Sequence, residues 1–121
     1  MPGNRNVQFC WTDFADVGSY GYDLKPKAKL SKVLKSLLNE TKNCRIRLSS
    51  LKLNEVDSEI IEILQEKRIC KHLHLPLQSG DDSILRRMNR SYTSQEYVST
   101  VEKIIKHVPD IAIGTDVIVG F

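Results

Sequence analysis

Four short polar stretches of this 121-residue chain carry the residue types that hold a small charged or hydroxylated ligand. The first is Asp16-Val17-Gly18-Ser19-Tyr20-Gly21. The second is Ser49-Ser50, preceded by Arg45 and Arg47. The third is Pro76-Leu77-Gln78-Ser79-Gly80-Asp81, and the fourth is Asp116 with Gly120 after it. Glycine, serine and short polar groups let a main chain approach a ligand closely and offer it N–H donors. Gln78-Ser79, just ahead of Asp81, suits hydroxyl recognition of the kind a ribose needs. Each stretch alone is also ordinary turn chemistry. Four of them at the same strand ends make a binding face.

Three further groups are candidates. His72 and His74 are two apart and so share one side of a strand. A metal pair needs a further ligand at suitable spacing, and none is present, so hydrogen-bonded strand histidines are the expectation. Cys10, Cys44 and Cys70 are too far apart for a CxxC or CxxxCxxC cluster and are odd in number for a disulfide framework. They read as small buried apolar side chains, with no metal site. Arg86-Arg87-Met88-Asn89-Arg90 suits a carboxylate or phosphate, or is a solvated helix end.

These residues need elements to position them, and two sequence periods alternate along the chain. Strand-like stretches are Asn6–Asp13, Arg45–Ser49, His72–Pro76 and Ile111–Val119. Between them, Leu30, Val33, Leu34, Leu37 and Leu38 form one helical stripe, and Ile60, Ile61, Ile63 and Leu64 a shorter one. A third helical region follows Ser83–Met88 and carries Tyr97, Val98, Val101, Ile104, Ile105 and Val108. Thr93 and Glu96 form a capping box, Asp57 and Asp81 cap the two short helices, and His107 with Pro109 closes the long one. The β-α-β-α-β-α-β order predicts an α/β fold with parallel strands and right-handed crossovers. In such folds ligands sit at the C-terminal strand ends, where the four polar stretches fall. The apolar last strand predicts cover on both faces.

With 40% apolar and 27% charged residues, the composition is that of a globular domain. No apolar run approaches the ~18–20 residues that cross a bilayer, and Met1-Pro2-Gly3-Asn4-Arg5 is not followed by a signal-like apolar region. A cytoplasmic protein without a membrane partner is expected. The net charge of +3 is spread out, which fits a mixed solvated surface and is compatible with RNA. An unrelated phosphate-binding α/β module is disfavoured, because G-x-G-x-x-G and P-loop strings are lacking.

Several strings, in order and at family-like spacing, resemble the core of the radical S-adenosylmethionine (SAM) methylthiotransferases. They are Arg45-Ile46-Arg47-Leu48-Ser49-Ser50-Leu51, His72-Leu73-His74-Leu75-Pro76-Leu77-Gln78-Ser79-Gly80, Leu85-Arg86-Arg87-Met88-Asn89-Arg90-Ser91-Tyr92-Thr93 and Gly114-Thr115-Asp116-Val117-Ile118-Val119-Gly120-Phe121. The similarity runs from about Asp16 to the C-terminus. The turn Gly18-Ser19-Tyr20-Gly21-Tyr22-Asp23-Leu24 and the string Arg45–Ser50 look most like the branch acting on threonylcarbamoyladenosine in tRNA.

The resemblance implies an internal fragment of a radical SAM core: a partial (β/α) barrel contributing strands two to five. It implies a transferase that inserts a methylthio group into a modified adenosine beside the anticodon, with tRNA and SAM as partners. It also implies 4Fe–4S clusters, one held by a CxxxCxxC loop that this sequence lacks, so the chain by itself is expected to be inactive. N-terminal and C-terminal domains of a parent protein are implied as well. Carried over, Gly18, Ser19, Tyr20 and Gly21 lie near the methionyl end of SAM, and Gln78 and Ser79 near its ribose. Asp116, Ile118 and Gly120 line the adenine side, Ser49 and Ser50 belong to the same surface, and Arg90 pairs with the SAM carboxylate. Two departures stand out beside the missing cysteines: no Pro-Gly-Glu-Thr follows Gly120-Phe121, and Met1–Ala15 is atypical. Rival readings are a non-catalytic truncated half-barrel binding RNA or a partner, and another branch of the family, acting on isopentenyladenosine or a ribosomal protein.

Overall fold

A computed structural model describes residues 8–11, 23, 25, 26 and 28–121. Its elements are β1 (Gln8–Trp11), α1 (Leu30–Glu40), β2 (Cys44–Arg47), a 3-10 turn (Leu53–Glu55), α2 (Ser58–Leu64), β3 (His72–His74), α3 (Asp82–Arg87), α4 (Ser94–His107) and β4 (Ala112–Gly114). The β-α-β alternation of the sequence is therefore present, with parallel pairing throughout. β1 runs beside β2 with Gln8 opposite Cys44, and β3 beside β4 with His72 opposite Ala112. Parallel bridges Ile46–Ile69 and Ser50–His74 link the two pairs, so the strands follow one another in chain order.

Strand parity decides what is buried. Ile46 and Leu48 from the β2 stretch and Leu73 and Leu75 from the β3 stretch point into one core with Leu34 of α1, Ile60, Ile61, Ile63 and Leu64 of α2, and Tyr97 and Ile104 of α4. Leu64, Ile69, Leu73, Leu75 and Ile104 lose all their exposure. Each such side chain contributes roughly 1.5–3 kcal/mol of transfer free energy. The alternate strand residues Arg45, Arg47 and Ala112 are exposed, and His72, His74 and Gly114 half-buried, on the face away from the helices.

The caps form as their residue types require. Ile60 N–H donates to Asp57 at 2.9 Å, and Ser83 and Ile84 N–H donate to Asp81 at 2.7 and 3.1 Å. The Thr93–Glu96 box is reciprocal, at 3.2 and 2.7 Å. Between α1 and α2, the buried Ser31 hydroxyl donates to Glu59 at 2.8 Å and Lys29 pairs with the same carboxylate at 3.2 Å.

Three expectations need correction or limits. The first strand was expected over Asn6–Asp13; residues 8–11 are extended and the rest lie outside the described residues. The third and fourth strands, expected over His72–Pro76 and Ile111–Val119, span only His72–His74 and Ala112–Gly114. Leu77 N–H is taken by the Thr115 side chain at 3.0 Å, which interrupts the ladder, and pairing resumes where Gln78 N–H meets the Asp116 carbonyl at 2.8 Å. The last strand is not covered on both faces. Val117, Ile118, Val119 and Phe121 are all at least half exposed, and among the described residues β4 pairs only with β3.

Candidate functional site

Two arrangements occupy the C-terminal strand ends. The first is a hollow of about 210 Å³ between the β2 and β3 ends, lined by Ser50, Leu51, Lys52, Leu53, Pro76, Gln78, Arg90 and Tyr92. It brings together Ser50, Gln78 and Arg90, three residues singled out from sequence.

Local backbone chemistry explains how each reaches the hollow. Arg90 is placed by the end of α3. Asn89 is left-handed, at φ 57°, its N–H bonds to the Arg86 carbonyl at 3.0 Å, and Arg90 N–H bonds back to Leu85 at 2.9 Å. This is a Schellman stop, with Asn standing where Gly is commonest. Gln78 is also left-handed, at φ 72°, an arrangement that costs a non-glycine residue roughly 1–2 kcal/mol. The loop holding it is braced from behind by the Tyr92 hydroxyl, which donates to the carbonyls of Leu77 at 2.8 Å and Pro76 at 3.2 Å. Burial pushes the Tyr92 hydroxyl above its ordinary value, so it stays a donor at neutral pH. Ser79 is turned to the following helix, where its hydroxyl accepts from Asp81 N–H at 3.2 Å.

The second arrangement lies on the polar face of the sheet. His74 Nε2 and Asp116 Oδ2 are 2.9 Å apart, joining the ends of β3 and β4. Beside them, Arg47 lies 3.4 Å from the His72 ring nitrogens. Burial first, then the charges of Arg47 and His74, hold His72 below the ordinary histidine value, which favours a neutral ring at neutral pH. Asp116, Ile118 and Gly120 do not line the hollow. They occupy the adjoining stretch, zipped to the Gln78 loop by Ile118 N–H to the Gln78 carbonyl at 2.8 Å. Gly120 has φ 76°, which suits glycine. Ser49 sits half-buried at the end of β2. Gly18, Ser19, Tyr20 and Gly21 lie outside the described residues.

The sequence reading missed Tyr92 as a brace and the His74–Asp116 contact. The signal for the contact was available: His74, Gly114 and Asp116 share one parity on adjacent strands. Among the described residues, no group of three or more His, Cys, Asp or Glu side chains could hold a metal ion. Cys44 and Cys70 are free and only partly buried.

Residues 8–121 match the family model described as the radical SAM superfamily. The chain belongs to the radical SAM superfamily. Among curated proteins, this radical SAM chain is similar to the tRNA-2-methylthio-N(6)-dimethylallyladenosine synthase of Thermoanaerobacter sp. (strain X514), at 39% identity over 107 residues, covering 88% of the chain and 23% of that protein. It is 40% identical over 114 residues to the Probable threonylcarbamoyladenosine tRNA methylthiotransferase of Pyrococcus abyssi, covering 92% and 26%. A tRNA-2-methylthio-N(6)-dimethylallyladenosine synthase of Caldicellulosiruptor saccharolyticus is 41% identical over 107 residues, covering 88% and 23%. The chain thus spans about a quarter of the length of the curated relatives it matches. No helix among the described residues is long and apolar enough to cross a membrane.

Proposed function

We propose that this radical SAM chain is part of the catalytic domain of a tRNA methylthiotransferase, an enzyme that inserts a methylthio group into a modified adenosine next to the anticodon. The observation that carries the reading is a superfamily match over residues 8–121 that coincides with a polar hollow at the parallel strand ends. The relatives' names divide between dimethylallyladenosine and threonylcarbamoyladenosine at nearly equal identity. The Gly18–Leu24 turn and the Arg45–Ser50 string favour the second. In this reading β1 to β4 are the second to fifth strands of a partial barrel, residues 1–121 are one stretch of that core, and the enzyme is cytoplasmic.

SAM fits the residues present. The hollow is too small for the whole molecule but is of the right character for one polar end of it. Arg90 supplies a guanidinium whose fork matches the methionyl carboxylate, and no described carboxylate is paired with it. Gln78 and Ser50 offer donors and acceptors for ribose hydroxyls, and Asp116, Ile118 and Gly120 extend the surface toward the adenine. Ser49 and Ser79 complete it, and Gly18, Ser19, Tyr20 and Gly21, outside the described residues, are assigned to the methionyl end by the family resemblance alone. When bound, SAM would supply the radical that starts the reaction, once an iron–sulfur cluster held elsewhere in the parent protein had delivered one electron to it. The residues here orient it and hold it against a rigid strand edge.

An iron–sulfur cluster does not fit this stretch. Cys10, Cys44 and Cys70 lack cluster spacing, and no described side-chain group could bind metal. Cluster ligands, and the domains that grip tRNA, belong to other parts of the parent protein.

The test is SAM titration and tRNA methylthiolation by the full-length protein, read by mass spectrometry of tRNA nucleosides. The expected result is one methylthio group on an adenosine next to the anticodon. Arg90→Ala is expected to weaken SAM binding about tenfold or more, the worth of a charged hydrogen bond. Unmodified tRNA with intact SAM turnover would refute the substrate; unchanged SAM affinity in Arg90→Ala would refute the carboxylate role.

A further inference from the structure

The hollow accounts for Arg90 and Gln78 but leaves the polar face of the sheet without a role. There, the His74 ring leans across onto β4. A side chain on Gly114 would place its Cβ 3.0 Å from His74 Nδ1, closer than such contacts ordinarily allow. The ring therefore packs close over the Gly114 Cα, where an added methyl group would press on it. From that position its Nε2 meets Asp116 Oδ2 at 2.9 Å. His74 keeps 26% of its side-chain exposure and Asp116 62%, so the contact lies at the surface of the face rather than in the core. A carboxylate has about four acceptor sites. One ring N–H occupies one of these sites and leaves capacity for other donors.

The main chain on both sides of this pair is also fixed. Leu75 N–H bonds to the Gly114 carbonyl at 2.9 Å, and Gln78 N–H bonds to that of Asp116 at 2.8 Å. Asp116 is thereby held from its own backbone and from His74, at the same level as Gln78. A surface contact of this kind adds little stability.

We infer that His74 is a positioning residue: the space above Gly114 seats its ring, and the ring holds the Asp116 carboxylate in the orientation that accepts hydrogen bonds from the hydroxyl or amino donors of an adenosyl group. The inference rests on the SAM reading of the strand ends and assigns the pair within it. Three residues on two strands then act as one unit, with Gly114 as the seat, His74 as the clamp and Asp116 as the ligand-facing acceptor.

SAM binding by the full-length protein, measured calorimetrically, tests it. Asp116→Ala is expected to weaken binding about tenfold or more, and His74→Ala about threefold to tenfold. His74→Gln, which keeps an N–H at the reach of Nε2, restores most of the loss. The His74→Ala/Asp116→Ala double variant binds no more weakly than Asp116→Ala alone, because the two act through one carboxylate. Gly114→Ala, which displaces the ring, behaves like His74→Ala. Wild-type affinity in His74→Ala, or full additivity in the double variant, overturns the inference. If Asp116→Ala binds normally while Arg90→Ala is impaired, the pair has no ligand role and the hollow keeps its reading. If neither variant is impaired, both readings fall.

Discussion

Gln78 is held at φ 72°, its backbone pairs with Asp116 and Ile118, and it lines the hollow. Replacing it with glycine removes two different things. The left-handed strain, about 1–2 kcal/mol for a residue with a Cβ, disappears. Against that, glycine costs about 0.5–1 kcal/mol in unfolded-chain entropy. The net expectation for Gln78→Gly is therefore a stability change between about 0 and +1.5 kcal/mol. Gln78→Ala keeps the strain and lacks the amide, so Gly should exceed Ala by roughly 1 kcal/mol. Both variants lose the amide's hydrogen bonds to ligand, worth about 0.5–1.5 kcal/mol, or roughly twofold to twelvefold in SAM affinity. Urea unfolding and SAM titration on the same full-length preparations give both numbers. A protein that becomes more stable while binding more weakly is the signature of a residue retained for ligand contact. If Gln78→Gly instead loses more than about 1 kcal/mol and binds SAM normally, the amide is structural and the reasoning fails.

Three further outcomes are expected. Ile104→Ala, at a fully buried core position, should cost about 2–5 kcal/mol in denaturant unfolding, through lost contacts and a cavity. Tyr92→Phe should cost roughly 0.5–1.5 kcal/mol and speed amide exchange in the Pro76–Gln78 loop, which loses its brace. His72 has a depressed folded value, so below its ordinary value of about 6.5 the unfolded chain takes up a proton that the native ring resists. The part of stability that depends on a neutral His72 should be full above pH ~6.5 and fall as pH drops below it. His72→Gln should flatten that segment of a stability–pH profile measured between pH 5 and 8, an assay range around the ordinary histidine value.

The elements with a strong local signal were legible in the sequence. The leucine stripe of α1, the isoleucines of α2 and the Thr93–Glu96 box each settle their own conformation within a few residues, and each lies where its pattern puts it. So were Ser50 and Gln78 as neighbours, because strand ends in a parallel sheet share one edge. The length of β4 was not legible, since its apolar run continues past the point where the Thr115 hydroxyl interrupts the ladder. Nor was the exposure of Val117, Ile118 and Val119, because an apolar run looks the same whether or not a neighbour covers it. The Schellman turn that aims Arg90 escaped because Asn89, not glycine, takes the left-handed position. The His74–Asp116 contact escaped for a different reason: it depends on register between strands far apart in the chain.

The division of β3 by parity has a consequence for how this stretch can change length. Leu73 and Leu75 fill the core while His72 and His74 face the other way, with one residue separating each kind. Inserting or deleting a single residue inside β3 would exchange the two sets, burying imidazoles and exposing leucines at once. Length variation here must therefore come in pairs or be confined to the turns. The exposed Gln65–Lys67 turn after α2, which precedes the pairing at Ile69, is the place where a lineage can gain or lose one residue and keep both faces of the sheet.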